Sequence, residues 1–168
     1  CKGAHFKNAG QRFLGSQVFC RDLKQAQNLP PAKTCQESNQ RSQHLIINGG
    51  TLPFLIESAT RTVRQRLSEH LSEGGSAKKV NIGIHTHNDT DCATANALAA
   101  VRAGARHVQG TINGYGERVG NANLSTIIPD LQVKMGKDCV PGENLAQITE
   151  LSRFVAEVAN LSLDDHSP

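Results

Sequence analysis

The sequence has no tryptophan, one tyrosine, five phenylalanines and a net charge of only +3. Few aromatic side chains are available to stack on bases, and the positive charge is dispersed, so we expect no nucleic-acid partner. The sequence also lacks an apolar run near the roughly 18 residues that a membrane-spanning helix needs. We therefore expect no membrane association.

Paired cysteines are also missing. The five cysteines form no CxxC motif and are spread over 168 residues, a length that allows one domain with its own hydrophobic core. This favours a reduced, cytoplasmic setting over a disulfide scaffold. The first residue is Cys, not Met. This is typical of a fragment or of a chain whose start has been removed.

Residues 1–44 differ in composition from the rest of the chain. They contain seven glutamines and the pair Pro30-Pro31, with few aliphatic residues and no sustained period of 2 or 3.6. Such a composition predicts an irregular or aberrant segment that belongs to no assigned domain. From residue 45 to residue 168 the pattern becomes regular. If the chain derives from an enzyme, we expect this part to be the C-terminal portion of its catalytic domain.

The regular part begins with a strand, a turn and a helix. Leu45–Ile47 form an apolar strand, and the "NGGTLP" stretch that follows is a turn in which Thr51 caps a helix with Pro53 in its first turn. Gly74-Gly75 are expected to end this helix. Its predicted apolar face comprises residues repeating every four positions: Leu55, Ala59, Val63, Leu67 and Leu71.

Two further units follow the same scheme. A second strand alternates apolar with small or polar residues up to His85, and the next helix is stopped by Gly104. A third strand, "RHVQGTIN", leads into a glycine-rich loop and a helical segment that Pro129 interrupts. One last helix is expected over residues 143–160. Strands alternating with helices predict a parallel α/β fold, either a small open sheet or part of something larger.

Two histidines stand at the end of the second strand. His85 and His87 point to the same face because side chains alternate along a strand, so both imidazoles can reach one metal ion. Asn88 and Asp89 could orient the imidazoles by hydrogen bonding to them without contacting the ion. The alternative is a pair of strand-end histidines that only meet solvent.

The glycine-rich loop "GTINGYGERVGNANL" should reach the same rim, because it follows the neighbouring strand. Its glycines do not fit the GxGxxG dinucleotide pattern, since the third glycine comes one position late. The alternative to a site here is a turn whose polar groups satisfy one another. The polar and charged residues that the loop offers are Asn113, Glu117, Arg118, Asn121 and Asn123.

Together these motifs resemble a known family. The stretch from "GIHTHND" to "GYGERVGNANLSTIIPDLQVKMG" is similar to the 2-isopropylmalate, homocitrate and citramalate synthases, with Tyr115 closest to the citramalate branch. These are metal-dependent acyl-CoA condensing enzymes built on a TIM barrel. The resemblance covers residues 45–168. It implies an α/β fold that is an incomplete TIM (β/α)8 barrel, comprising about the last three β/α units and a C-terminal helix.

The resemblance also implies a function and a site. His85, His87 and Asn121 would bind a divalent cation, with Mg, Mn, Zn and Co not distinguished, and Glu117 and Arg118 would support the rim. The cation would polarise the carbonyl of pyruvate or another 2-oxoacid. Addition of acetyl-CoA would then give citramalate and CoA, an entry to isoleucine synthesis. No substrate-binding residue is assigned.

The sequence departs from the family at two motifs. The family's Arg-Asp-Gly, which supplies an Asp ligand, is matched only by Arg21-Asp22-Leu23, and its Asp-Thr strand end is replaced by Ile46-Ile47. Two alternatives therefore stand beside citramalate synthesis. One is 2-isopropylmalate- or homocitrate-type condensation. The other is an incomplete chain that only binds metal, forms a homo-oligomer or pairs with the missing barrel portion.

Overall fold

A computed structural model describes residues 17–19, 21–22, 42–47, 50–73, 80–165 and 167. The strands, in chain order, are β1 Gln17–Phe19, β2 Arg21–Asp22, β3 Ser42–Ile47, β4 Asn81–Thr86, β5 His107–Gln109 and β6 Lys137–Asp138. The helices are α1 Pro53–Glu73, α2 Ala93–Ala103, α3 Leu124–Pro129, α4 Gly142–Leu145 and α5 Ile148–Ala159. A 3₁₀ turn spans Ile112–Gly114, and a π-helical turn spans Asp130–Lys134.

The main sheet has four strands in the order β1-β5-β4-β3. β3, β4 and β5 are mutually parallel, as the alternation of strands and helices predicted. At one edge, β1 pairs antiparallel with β5, and β2 and β6 form a separate two-stranded sheet. The apolar core between sheet and helices includes Ile82 and Ile84 of β4 and Leu124 and Ile127 of α3.

The segment before residue 45 contains more regular structure than its composition indicated. β1 and β2 lie within it, and β3 begins at Ser42, three residues before the predicted strand. Arg21 and Asp22 form β2, so the sequence closest to the Arg-Asp-Gly motif lies outside the main sheet. The other residues of this segment lie outside the part of the chain that the structure describes.

Helix α1 confirms the predicted helix, and Val63 and Leu67 of its predicted apolar face pack against the core. The first two positions of that face are one residue out of step with the prediction. Leu55 is 50% exposed and Ala59 is exposed, whereas Ile56 is 1% exposed. Thr60 is also buried, and its hydroxyl is satisfied by donating to the carbonyl oxygen of Ile56, 2.8 Å away. The true stripe runs 56, 60, 63, 67. It combines spacings of four and three, as a period of 3.6 requires.

Helix α2 and its stop at Gly104 are confirmed. Gly104 adopts φ +112°, the left-handed conformation of a helix C-cap, and its N–H donates to the last-turn carbonyls. Most of the buried residues of this helix are alanines, which let it approach both α1 and β4 closely.

Two features of the C-terminal part differ in detail from the prediction. Pro129 has no N–H to donate and is the last residue of α3. The chain nevertheless continues in a helical turn, the π turn, in which Met135 N–H donates to Asp130 O at 3.0 Å. The expected helix over 143–160 is divided into α4 and α5 at Ala146 and Gln147. Within the described residues, no helix has both the length and the apolar character to span a bilayer.

Candidate metal centre

His85 and His87 lie together at the carboxyl end of β4. His85 is the fifth residue of the strand and His87 follows it, and their ring centroids are 4.8 Å apart with the planes nearly perpendicular. Thr86, between them, points to the opposite face and donates through its hydroxyl to Ala93 O at 2.9 Å. The strand end is thereby fixed to α2 on one face while both imidazoles occupy the other.

The glycine-rich loop, residues 110–123, folds back onto the end of β4. The Ala122 N–H donates to Thr86 O at 3.0 Å, and the Asn88 N–H donates to Gly120 O at 2.9 Å. His87 and Asn121 consequently form an antiparallel bridge. Two residues that are 34 positions apart are therefore neighbours, and the loop reaches the rim predicted from the parallel strand order.

Glycine at two loop positions makes this packing possible. Gly120 adopts φ +106°, a conformation that side-chain-bearing residues rarely take. Gly116 lies against Asn121, and a Cβ placed on Gly116 would be 2.7 Å from Asn121 Cγ. Any side chain at Gly116 would therefore displace the Asn121 amide.

One pocket of about 560 Å³ collects the candidate ligands. It is lined by His85, His87, Thr111, Tyr115, Gly116, Glu117 and Asn121. His87 Nδ1 and Asn121 Oδ1 are buried and have no hydrogen-bond partner among the residues that the structure describes. A buried acceptor without a partner is unfavourable, and a cation bound between these atoms would satisfy both. The donor set thus fits a divalent ion.

The set is nevertheless small. In the described part of the chain, no group of three or more His, Cys, Asp and Glu side chains is placed to hold a metal. Two imidazole nitrogens and an amide oxygen leave several positions of a six-coordinate ion, or one of a tetrahedral ion, for other ligands. An ion held here would be open to substrate oxygens.

Asp89 and Arg118 form a bidentate ion pair across the rim. Arg118 Nε lies 2.6 Å from Asp89 Oδ1, and Nη2 lies 2.9 Å from Oδ2. This hydrogen bonding raises the pKa of the Arg118 guanidinium. Arg118 has φ +57°, so the fork also holds a residue in a conformation it rarely adopts. Glu117 is 84% exposed, with Oε2 3.9 Å from Arg118 Nη1.

The two residues predicted to orient the histidines make other contacts. Asn88 Oδ1 accepts from the N–H of Ala93, the first residue of α2, and its Nδ2 donates to Asp91 Oδ1, both at 3.0 Å. Asp89 binds Arg118 as described. These bonds fix the loop after β4, and a direct role in orienting the imidazoles stays a prediction.

The other amides of the glycine-rich loop hold helices. Asn123 Oδ1 accepts from Ser125 N–H at 2.9 Å and so caps α3. Asn113 Nδ2 donates to Ser152 O at 2.8 Å, and the Ser152 hydroxyl donates to Asn113 Oδ1 at 2.6 Å, which docks α5. Of the loop's carboxamides, Asn121 is the one that lines the pocket.

Sequence reasoning missed Thr111 as a pocket residue and used Tyr115 only for its family resemblance. Both line the pocket, and the Thr111 hydroxyl donates to Tyr115 O. The replaced Asp-Thr strand end can also be placed. Ile46 of β3 is the backbone partner of His85, so the replaced strand end lies directly beside the histidines.

Comparison with known proteins identifies the family of the chain. A family model described as HMGL-like matches residues 10–155. Over 121 residues the chain is 54% identical to an (R)-citramalate synthase of Synechocystis sp. and 53% identical to one of Aquifex aeolicus. Each alignment covers 72% of this chain, but 22% and 21% of the relative, so the chain spans about a fifth of their length.

A solved structure with the same fold is an HMG-CoA lyase from Acinetobacter baumannii, determined with coenzyme A and 3-methylmalate. It superposes with a TM-score of 0.54 at 19% identity, over 73% of this chain and 38% of that one. The prediction of an incomplete (β/α)8 barrel is thereby confirmed, and so is the family resemblance. Because the family model matches most of its length, the chain belongs to the HMGL-like family.

Proposed function

We propose that this chain carries the metal-binding part of the catalytic barrel of an (R)-citramalate synthase-like enzyme. The observation that carries the proposal is that His87 and Asn121 line one pocket with His85, while His87 Nδ1 and Asn121 Oδ1 are buried and have no hydrogen-bond partner among the described residues. The identity of 54% to an (R)-citramalate synthase supports the substrate choice, which is acetyl-CoA and pyruvate.

The residues have distinct roles in this proposal. His85 and His87 supply imidazole nitrogens and Asn121 supplies an amide oxygen. The Asp89–Arg118 pair joins the loop after β4 to the glycine-rich loop that carries Asn121. A divalent cation held there would act as a Lewis acid toward the carbonyl oxygen of the oxoacid. Glu117, exposed at the pocket mouth, would contact the solvent side of a bound substrate.

The proposed reaction balances as a condensation followed by a hydrolysis. The acetyl-CoA methyl carbon loses a proton and bonds to the oxo carbon of pyruvate, whose oxygen gains a proton. Water then cleaves the thioester, which gives citramalate and free CoA. We assign the base for the methyl proton to no residue of this chain.

Metal binding is tested first. Titration of the chain with Mn²⁺, followed by calorimetry, should show one saturable site in the wild type. The His87→Ala substitution should weaken that site at least about tenfold, because it removes one of three protein ligands. His70→Ala is the matched control, since His70 is exposed on α1 away from the pocket. Equal Mn²⁺ affinity in all three proteins would refute the site.

The reaction is tested by CoA release from acetyl-CoA with pyruvate, or with a bulkier 2-oxoacid to detect 2-isopropylmalate- or homocitrate-type condensation. Because the chain spans about a fifth of its relatives, we propose that it needs the missing barrel portion for turnover. The chain alone should release CoA no faster than a buffer blank. Release that disappears with His85→Ala would contradict this and show that the chain is active by itself.

A second candidate function, pairing with another chain, is favoured by the strand β3. β3 is six residues long and lies at the end of the main sheet, with no further strand beside it among the described residues. Its outward backbone groups can pair with an added strand, either from a second copy or from a barrel portion. Light scattering behind size-exclusion chromatography should show a mass above that of the monomer. A monomer at all concentrations would count against it.

A further inference from the structure

A second pocket lies at the opposite end of the sheet from the histidines. It is lined by residues 80–82 at the start of β4, by residues 104–106 before β5, and by side chains of α1 and α2. Asn81 and His87 are six residues apart along one strand, which corresponds to about 20 Å at roughly 3.3 Å per residue. We call it the amino-end pocket. It shares no lining residue with the candidate metal centre.

The charged side chains that line the amino-end pocket are basic. Among the described residues that line it are four basic side chains and no carboxylate, the basic ones being Arg64, Arg102, Arg106 and Lys137. Arg102 is already neutralised, because its guanidinium pairs with Glu57 of α1. Arg106 and Lys137 also make interactions of their own, so the anion is expected at Arg64.

Arg64 lies at the pocket wall, beside Gly104. Its side chain lies over the bare α-carbon of Gly104, where an added Cβ would be 2.7 Å from Nη1 and 3.0 Å from Cδ. The glycine that ends α2 in the left-handed conformation thus also makes room for the Arg64 side chain. Arg64 makes no ion pair or hydrogen bond within the described part of the chain. A guanidinium that has no counter-ion among the described residues is suited to bidentate binding of an oxyanion.

The remaining lining suggests how large the ligand is. The pocket measures about 510 Å³, a size typical of small-molecule sites, which run to roughly 300–1,000 Å³. Leu67, Leu71 and Val101 add an apolar wall beside the cations. From the charge, the Arg64 guanidinium and the volume, we propose that the amino-end pocket binds a phosphate-bearing anion, with the phosphate on Arg64.

Calorimetric titration of the 168-residue chain at constant ionic strength tests this proposal, with adenosine 5′-monophosphate and inorganic phosphate as probes. Saturable binding is expected, and Arg64→Gln should weaken it by about tenfold or more, since a charge-assisted hydrogen bond is lost. Arg66→Gln is the matched control. It removes the same charge from the same helix, but Arg66 does not line the pocket.

The outcomes separate the possible sources and the possible failures. Tighter binding of the nucleotide would indicate an organic phosphate that uses the apolar wall, whereas equal binding would indicate inorganic phosphate. Equal weakening by Arg64→Gln and Arg66→Gln, or no saturable binding of either probe, would overturn the proposal. His87→Ala should leave phosphate binding unchanged, so this test does not depend on the proposed metal site. Circular dichroism checks that each variant is folded.

Discussion

At the scale of single residues, the site depends on how closely the glycine-rich loop packs on itself. The Asn121 amide faces the pocket because Gly116 leaves space beside it and because Asn121 Nδ2 donates to Tyr115 O at 3.4 Å. The contact is between a backbone and a side chain, so no rotamer change at Gly116 could relieve a clash there. Asn121 is consequently the ligand most sensitive to a small substitution nearby.

The substitution Gly116→Ala should therefore impair metal binding more than folding. Its methyl group would displace the Asn121 amide, and Mn²⁺ affinity should fall by about tenfold through the lost ligand geometry. Gly142→Ala is the control, because an added Cβ at Gly142 meets no atom within 4 Å. Calorimetry with Mn²⁺ gives the affinity and urea unfolding the stability. If Gly116→Ala bound Mn²⁺ as tightly as Gly142→Ala, the placement of Asn121 as a ligand would be wrong.

The residue scale also shows what a sequence can predict about such a site. His85 and His87 follow from strand alternation alone, since two positions on one strand share a face. The separate roles of the loop amides do not follow. Asn113, Asn121 and Asn123 have the same side chain, and only the fold of the loop directs one to the pocket and two to helices.

At the scale of elements, the buried face of helix α1 can be tested by substituting two neighbouring residues. Ile56 is 1% exposed and Leu55 is 50% exposed, although they are adjacent in sequence. Ile56→Ala should lower the free energy of unfolding by about 2–4 kcal/mol through lost burial and a cavity. Leu55→Ala should change it by less than about 1 kcal/mol, because half of its side chain already meets water. Urea unfolding of both variants makes the measurement. Equal losses of unfolding free energy in the two variants would contradict the buried face described for α1.

A charge contact joins α1 to α2 and gives a pH-dependent prediction. The pKa of Glu57 is lowered, first by its hydrogen bond to Arg102 and then by the one to Arg61. A lowered pKa in the folded state means that Glu57 stabilises the fold above its unfolded pKa, near the usual 4.5. That contribution is lost as the pH falls through the lower, folded value. The stability advantage of wild type over Glu57→Gln should therefore shrink on acidification below about pH 4.5.

Unfolding by urea at several pH values measures this advantage. Glu69→Gln is the control on the same helix, because Glu69 accepts a hydrogen bond from Gln65 and not from an arginine. The control should follow the wild-type curve. A Glu57→Gln difference that is independent of pH over this range would contradict the assignment.

At the scale of the whole molecule, Asn113 connects the C-terminal helix to the loop that carries Asn121. Two hydrogen bonds, at 2.8 and 2.6 Å, join it to Ser152 of α5. Asn113 has φ +62°, which glycine also tolerates. Asn113→Gly should therefore keep the backbone and lose both bonds, at about 1–2 kcal/mol of unfolding free energy. Chymotrypsin should then cut faster at Phe154, which lies on α5 and is 45% exposed.

Ser152→Ala serves as the partial control. It removes the hydroxyl that donates to Asn113 Oδ1 but keeps the backbone oxygen that accepts from Asn113 Nδ2. It should show a smaller loss of stability and an intermediate cleavage rate. Cleavage at Phe154 that is unchanged in both variants would mean that α5 is held by apolar packing alone.

The whole molecule was only partly predictable from sequence. The three parallel β/α units followed from the alternation of apolar patterns, which are local signals. The pairing of β1 with β5 did not, because Gln17–Phe19 are three residues within an unpatterned segment and their partner lies about ninety residues away. The split between α4 and α5 was missed for a related reason, since Ala146 and Gln147 are compatible with a continuous helix.

The two ends of the main sheet are unequal: β1 offers three residues at one end and β3 offers six at the other. A short edge strand pairs poorly. If β3 pairs as proposed, the chain would therefore resemble a monofunctional monomer, which has one end able to react, and here that end is β3. Two monofunctional units that join end to end consume both reactive ends. Association through β3 should therefore stop at a closed pair and not propagate into a fibre.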